Sequence, residues 1–457
     1  MLREALGIAM AVTGVIIGAG FASGQELLQY FVAFGTKGII GASAAGIMMA
    51  LAGLAMLQYG SYYRAREHTA VFEGMTLMPW TSRILDAAVL VTLFSTGFVM
   101  FAGAGSNLQQ QFGLPVWVGS GVMLLLVLAA GMLDVDKVSR VIGGITPFIL
   151  VFLLIGSLYA IIAYGSEPGR DLSVVEGVTP ALPVWWLSAV NYTGLALIMG
   201  VSMAIVIGGA NLIPRSAGIG GLIAGILFGA FLVLGTIALL LTSGIVAGED
   251  MPMLALIESI DPRLGVAMAF IIYGMIFNSA LGLFYALGKR LTAKRPERYR
   301  VVFTAVTVAG FILSFVGFKT LVAHVYPVLG YFGIVLVAIM VVAWFRARGR
   351  ISAESDRRNL LRTLVTRRLD PRMRFTKTDR RHLERAVDAS NVDDADLADA
   401  VYSEVVEELR ADEEVDFPEY EVAEGDSAAD AAVQAAADAE VVYPDSEEEG
   451  ETAPRDA

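Results

Sequence analysis

The stretch GVIIGAGFASGQELLQYFVAF, residues 14–34, is the part of the chain on which the choice of fold turns. An apolar run opens at Ala5, is interrupted at Gly18-Ala19-Gly20 and resumes at Leu27. From Ala5 to Phe34 it spans 30 residues, more than the ~20 that cross a bilayer as one straight helix. Gly18 and Gly20 have no side chain to forbid unusual backbone angles, so a helix unwinds there cheaply. Ser23 stands three residues before Glu26, the spacing of a capping box that would start a second helix. The pattern predicts a discontinuous membrane helix: 5–17, an unwound piece, then 23–34.

An unwound segment at membrane depth leaves N–H and C=O groups that hydrocarbon cannot satisfy. It is tolerated only inside protein or beside a water-filled cavity. A new helix start there suits an anion such as a carboxylate, and the freed carbonyls suit a cation. Broken helices at the midplane are how many secondary transporters build their binding sites. The simpler alternative is that the glycines only let helices approach closely, which would not call for the polar Ser-Gly-Gln-Glu that follows.

Composition agrees with a membrane setting. The 457 residues are 56% hydrophobic and 17% charged, with a mean hydropathy of +0.64, which excludes an ordinary soluble enzyme. The net charge of −12 hides two unlike parts: residues 1–350 carry +5 and the remainder −17. With no cysteine, disulfides, thiol nucleophiles and cysteine metal sites are excluded. The first apolar run has no small-residue cleavage site leading into a soluble domain, so it is expected to stay as a membrane helix.

Nine further spans follow at 38–63, 81–111, 116–133, 138–164, 186–209, 215–247, 262–289, 300–317 and 320–346. Residues 165–185, with Pro168, Pro180 and Pro183, form a connection, and 249–260 is expected to be a short surface helix. With the N-terminus inside, sixteen basic residues fall on inner segments and four (Lys37, Arg170, Arg263, Lys319) on outer ones. That bias predicts N- and C-termini in the cytoplasm of a cell-membrane protein. Ten spans with a broken first one suggest a five-plus-five inverted repeat, in which the sixth span mirrors the first. Asn191-Tyr192-Thr193-Gly194 would be its interruption.

GVIIGAGFASGQE, followed by a short apolar helix and FGTKG, resembles the YkvI-type family of bacterial and archaeal membrane proteins over about residues 1–347. The resemblance implies a LeuT-type fold of the amino acid, polyamine and organocation transporter group. The expected class is therefore an all-α polytopic membrane protein of ten transmembrane helices in a 5+5 inverted repeat, with helices 1 and 6 discontinuous. The sixth span departs from the family pattern: Ala196 stands where an asparagine usually follows the tyrosine, and Asn191 precedes it.

Substrate contacts are expected from Gly18, Ala19, Gly20, Phe21, Ser23, Gln25 and Glu26 on the first span, and from Asn191, Tyr192, Thr193 and Gly194 on the sixth. Phe21 could serve as a lid or as plain packing. Glu26 is one of few ionisable residues inside a span and by default a functional candidate: a proton carrier if deeply buried, a helix cap otherwise. By resemblance, a sodium ion would sit between the carbonyls of Gly14 and Ile17 and the side chains of Asn278 and Ser279, where an amide replaces the usual hydroxyl. The alternative for that pair is interhelical hydrogen bonding. Ser95, Thr96, Asn107, Tyr273 and Tyr326 are weaker candidates. Asp86 and His324 are expected near the membrane interface.

The domains expected are 1–347, the transporter body; 348–385, a basic juxtamembrane segment attracted to anionic lipid; and 386–457, an acidic and largely disordered tail with a helix around 393–411. The tail's acidity resembles that of haloarchaeal proteins. No paired carboxylates, metal-binding histidines or nucleophile constellation lies in the spans, so no enzyme, resident cofactor or nucleic-acid partner is expected. The expected partners are membrane lipid, a small organic solute of amino-acid-like character, and Na+ or H+ as coupling ion. The rival reading is a membrane sensor or scaffold on a transporter fold, signalling through its tail.

Overall fold

The computed structural model describes residues 2–75, 79–132, 146–165, 175, 177–370, 372–412, 415, 427 and 429–432, and the regular elements among them are all helical. The first span comes in three pieces: α1 (Leu2–Ile16), α2 (Ala19–Ser23) and α3 (Gln25–Tyr30). There follow α4 (Thr36–Tyr62), α5 (His68–Met75), α6 (Pro79–Phe112), α7 (Val116–Gly131) and α8 (Thr146–Tyr164). The second half holds α9 (Trp185–Ala210), α10 (Pro214–Leu241), α11 (Pro252–Ile260), α12 (Pro262–Leu291) and α13 (Tyr299–Leu313). Finally come α14 (Phe318–Leu369), α15 (Lys377–Asp388) and α16 (Asp394–Ala411). Among the described residues, eight helices are long and apolar enough to cross a membrane, and α1 and α7 are shorter apolar ones.

Small residues set the spacing of the bundle, as expected where lipid offers no hydrophobic drive between helices. A Cβ on Gly46 would lie 2.8 Å from Gly229, and one on Gly53 2.7 Å from the Gly221 carbonyl, so α4 and α10 cross backbone to backbone. Gly60 meets α9 in the same way, at the Ile205 carbonyl.

Five expectations need correction. The first span is interrupted twice, not once: Gly18 is extended (φ −87°, ψ 179°) and Gly24 is left-handed (φ 81°). The capping box does not form. Ser23 Oγ donates to the Gly20 carbonyl at 2.7 Å and accepts from Gln25 N–H, while Glu26 turns away towards α9. The sixth span, α9, is one continuous helix. Its polar run bonds sideways instead of unwinding: Thr193 returns its hydroxyl to Ala189 O, Asn191 donates to Pro327 O, and Gly194 lies against Gly330 and Gly333 of α14. The helix in 249–260 is not superficial, since Met253, Leu254, Leu256 and Ile257 of α11 are buried.

The fifth concerns the last span. It does not end near 346 but runs 52 residues to Leu369, with Pro327 inside it. Its far end, α15 and α16 enclose a second apolar core, built on Leu361, Leu364, Leu383, Val401 and Val405, that also takes in Leu212 and Ile213 from the α9–α10 turn. The basic segment thus uses its apolar face against protein. A capping box does occur here, between Thr376 and Asp379 at the start of α15, and holds that acid below the usual carboxylate range.

Candidate functional site

The breaks in the first span place its polar residues in the middle of the bundle. Glu26 is 6% exposed. Its Oε1 lies where a Cβ on Gly20 would be, 1.8 Å away, so the side chain folds back over the bare backbone of the interruption. Its other oxygen accepts from Tyr192 Oη at 3.2 Å. One helical turn on, Tyr30 donates to Asn191 Oδ1 at 3.3 Å, and Asn191 passes its own amide to Pro327 O at 2.9 Å. Rings complete the enclosure: Tyr192 lies 5.3 Å from Tyr30 and 5.1 Å from Phe31. The centre is therefore a carboxyl held among hydroxyls, an amide and aromatic faces.

Several buried polar atoms lack hydrogen-bond partners among the described residues: both ends of the Gln25 amide, both ends of the Asn107 amide, Thr96 Oγ1 and Tyr326 Oη. Groups of this kind carry a desolvation cost that water or a polar ligand would relieve.

The two ends of the bundle differ. At the α11 end the structure is shut. Gly24 approaches Met253 so closely that a Cβ would lie 2.9 Å from its nitrogen. Gln110 bonds both the carbonyl and the N–H of Met251, Ser106 donates to Asp250, and Gln29 donates to Lys319 O. The start of α3 at Gly24 is thus packed against α11. Gly14, Gly18, Asn278 and Ser279 are by contrast each partly exposed.

Of the residues expected to hold sodium, Ser279 and Gly18 come together: a Cβ on Gly18 would lie 3.9 Å from Ser279 Oγ. Gly18 N–H bonds Ile16 O at 2.8 Å, which takes the usual helical partner away from the Gly14 carbonyl. Phe21 stacks at 4.9 Å on Phe228 of α10 and is fixed in the core. Tyr273 donates to Gly119 O, and His324 is exposed with Nδ1 near Thr320 O.

Sequence reasoning missed Tyr30, whose place four residues after Glu26 puts it on the same helical face. It also missed the group around His68. His68 Nε2 faces Asp86 at 3.3 Å and Nδ1 faces Ser202 at 3.0 Å, while Arg290 grips both oxygens of Asp86 and lies 3.6 Å from Glu67. Burial pushes the His68 imidazole below its ordinary value, against the pull of Asp86. This group joins α5, α6, α9 and α12. Asp86 is therefore an anchor between helices rather than a lone interfacial residue.

No family model matches the chain. It is similar to the membrane protein YkvI of Bacillus subtilis (strain 168), at 26% identity over 339 residues that cover 73% of this chain and 94% of YkvI. It is similar to YyaD of the same organism at 25% identity over 338 residues, covering 73% and 95%. Among solved structures, MhsT in complex with L-phenylalanine matches with a TM-score of 0.50 at 16% identity, over 74% of this chain and 85% of that one. The resemblance to YkvI read from the first span thus extends along nearly the whole of that protein, and the chain is a multi-pass membrane protein with a LeuT-type fold.

Proposed function

We propose that this protein is a secondary active transporter that moves a small organic solute by alternating access around the break in its first span. The observation that carries the reading is the twice-interrupted helix itself, with Glu26 folded onto Gly20 and bonded to Tyr192 at the centre of the bundle. Unwound backbone and a buried carboxyl are costly in a membrane, and a transport site is the use that accounts for both. The sealed α11 end and the partly exposed Gly18 and Ser279 fit a state open towards one side. The basic bias makes that side the cytoplasm, with both termini inside.

The solute contacts in this reading are the backbone of Gly18 to Ser23, the side chains of Gln25 and Glu26, and Asn191 and Tyr192 on α9. An amino-acid-like solute is supported by MhsT, which shares the fold and was solved with L-phenylalanine. Sodium is one choice of coupling ion, held by the Gly14 and Ile17 carbonyls with Asn278 and Ser279. The diverted Gly14 carbonyl and the approach of Ser279 favour it. A proton on Glu26 is the other.

Thermal stability of the purified protein in sodium against potassium chloride, across a panel of amino acids and related solutes, tests the reading. Stabilisation by sodium that is lost in Ser279→Ala and grows with one solute is the result expected of a sodium symporter. Gly20→Val should leave a folded protein that no longer transports, because its Cβ takes the place of the Glu26 carboxyl. Normal uptake by that variant would sink the proposal.

A second reading, a sensor that signals through its tail, is favoured by one observation. Arg362 of α14 links Glu4 of α1 to Glu404 and Glu408 of α16. Arg362→Ala should leave uptake near normal in a transporter and change the output of a sensor.

A further inference from the structure

The Glu26 carboxyl is buried without a countercharge. Among the described residues, the titratable groups that face it are hydroxyls: Tyr192 on α9, Tyr30 on α3 and Tyr326 on α14. No lysine, arginine or histidine is paired with it among those residues. One hydroxyl at 3.2 Å does not compensate a buried negative charge, and removing such a charge from water costs several kcal/mol. The carboxyl therefore needs a positive partner that the described residues do not supply. Met253 packs closely on Gly24 at the start of α3, and the acidic group at the centre is the protein's own Glu26. The surroundings suit an ammonium group: the rings of Tyr30 and Phe31 pack on Tyr192, which bonds Glu26, aromatic rings attract cations, and the Tyr326 hydroxyl, without a hydrogen-bond partner among the described residues, can accept from one.

We propose that Glu26 is a single exchange position that takes, in turn, a proton and the ammonium group of an amine-bearing solute. The inference rests on the transporter reading and names the chemistry of its solute. When the amine enters, the O–H bond of the carboxylic acid breaks, its proton leaves to water, and the carboxylate pairs with –NH3+. When the amine leaves, a proton from water restores the acid. One positive charge replaces another, so with a simple amine the exchange moves no net charge. Because the two cations compete, the solute runs opposite to the proton.

The test uses full-length purified protein and three matched probes: phenethylamine, L-phenylalanine and 3-phenylpropionate, with sodium chloride as a fourth. Binding is followed by thermal midpoint, and proton release by a pH dye in weakly buffered solution. The amine should bind with release of about one proton, and its apparent affinity should rise by up to about tenfold per pH unit while the carboxyl is protonated. L-Phenylalanine binding as well as phenethylamine assigns the ammonium group to an amino acid; binding by phenethylamine alone assigns it to a simple amine. Glu26→Gln should lose both binding and proton release while keeping its ligand-free midpoint. Should that variant fail to fold, Tyr192→Phe should displace the pH dependence of amine binding without abolishing it. Failure of both amine-bearing probes to bind, 3-phenylpropionate binding equally well, binding without proton release, or sodium alone releasing the proton would each overturn the exchange. Sodium-dependent uptake of a solute lacking an amine would overturn it too and leave the transporter reading standing.

Discussion

Glu26 and Glu354 are both buried acids on helices, 6% and 1% exposed, and they are partnered in opposite ways. Glu354 is bonded by Arg358 Nε at 2.8 Å, by Arg357 and by Ser390 Oγ. Arg358, itself wholly buried, spends its remaining donors on the carbonyls of Ser61, Tyr62 and Leu212 and on Asn391. Those carbonyls lie at the end of α4 and at the α9–α10 turn, where helix ends leave acceptors without intrahelical partners. Every charge in this cluster is answered inside the chain. Glu26 has one hydroxyl. A saturated buried pair holds two parts of a molecule together, whereas an unsaturated one waits for something from outside.

The largest effect expected from this contrast is at Arg358. Arg358→Leu leaves Glu354 with Arg357 and Ser390 alone and takes a donor from three helix-end carbonyls, and should cost about 3 kcal/mol, read as a fall in the unfolding midpoint. The double variant Glu354→Leu with Arg358→Leu should recover most of that loss. If it does not, the carbonyl contacts matter more than the ion pair. Next in size, Gly330→Ala would place a Cβ 2.1 Å from Asn191 Oδ1. Overpacking of this kind costs about 1–3 kcal/mol, and the same midpoint measures it. Glu26→Gln should change stability by about 1 kcal/mol or less, since Tyr192 keeps an oxygen to bond. A loss as large as that of Arg358→Leu would show the carboxyl to be structural and erase the contrast.

The smallest effect concerns His68. Its folded value lies below the unfolded one, so the unfolded state binds more protons as pH falls through the imidazole range. The His68 contribution to stability is then present at pH 8 and lost towards pH 5. His68→Gln should flatten that part of the profile, which a midpoint-versus-pH series would reveal.

How far the sequence led varies along the chain. Hydropathy marked the spans because burial in lipid needs apolar length. The glycines of the first span marked its interruption because few other residues tolerate it. The sixth span misled for a physical reason: Asn191, Thr193 and Gly194 look the same in one dimension whether they unwind a helix or lock it to a neighbour. Gly330 and Gly333, which decide the matter, lie more than a hundred residues away. Ser23 and Glu26 had the spacing of a cap, but spacing does not reveal that Tyr192 offers Glu26 a better partner. The boundary placed near 347 marked where hydropathy falls. The apolar repeat in NLLRTLVTRRL continues the same helix beyond it.

The unbroken length of α14 has a mechanical consequence. Between Pro327 and Leu369 it extends roughly 63 Å at ~1.5 Å per residue. Proline inside a helix removes one backbone bond and favours bending there, and the Pro327 carbonyl is held by Asn191, which also accepts from Tyr30. A tilt of about 5° at that point would sweep the far end of a straight rod of that length through roughly 5 Å. The helix is a lever whose short arm is held at Asn191, and whose long arm turns a small local displacement into one large enough to be felt by α1, α15 and α16.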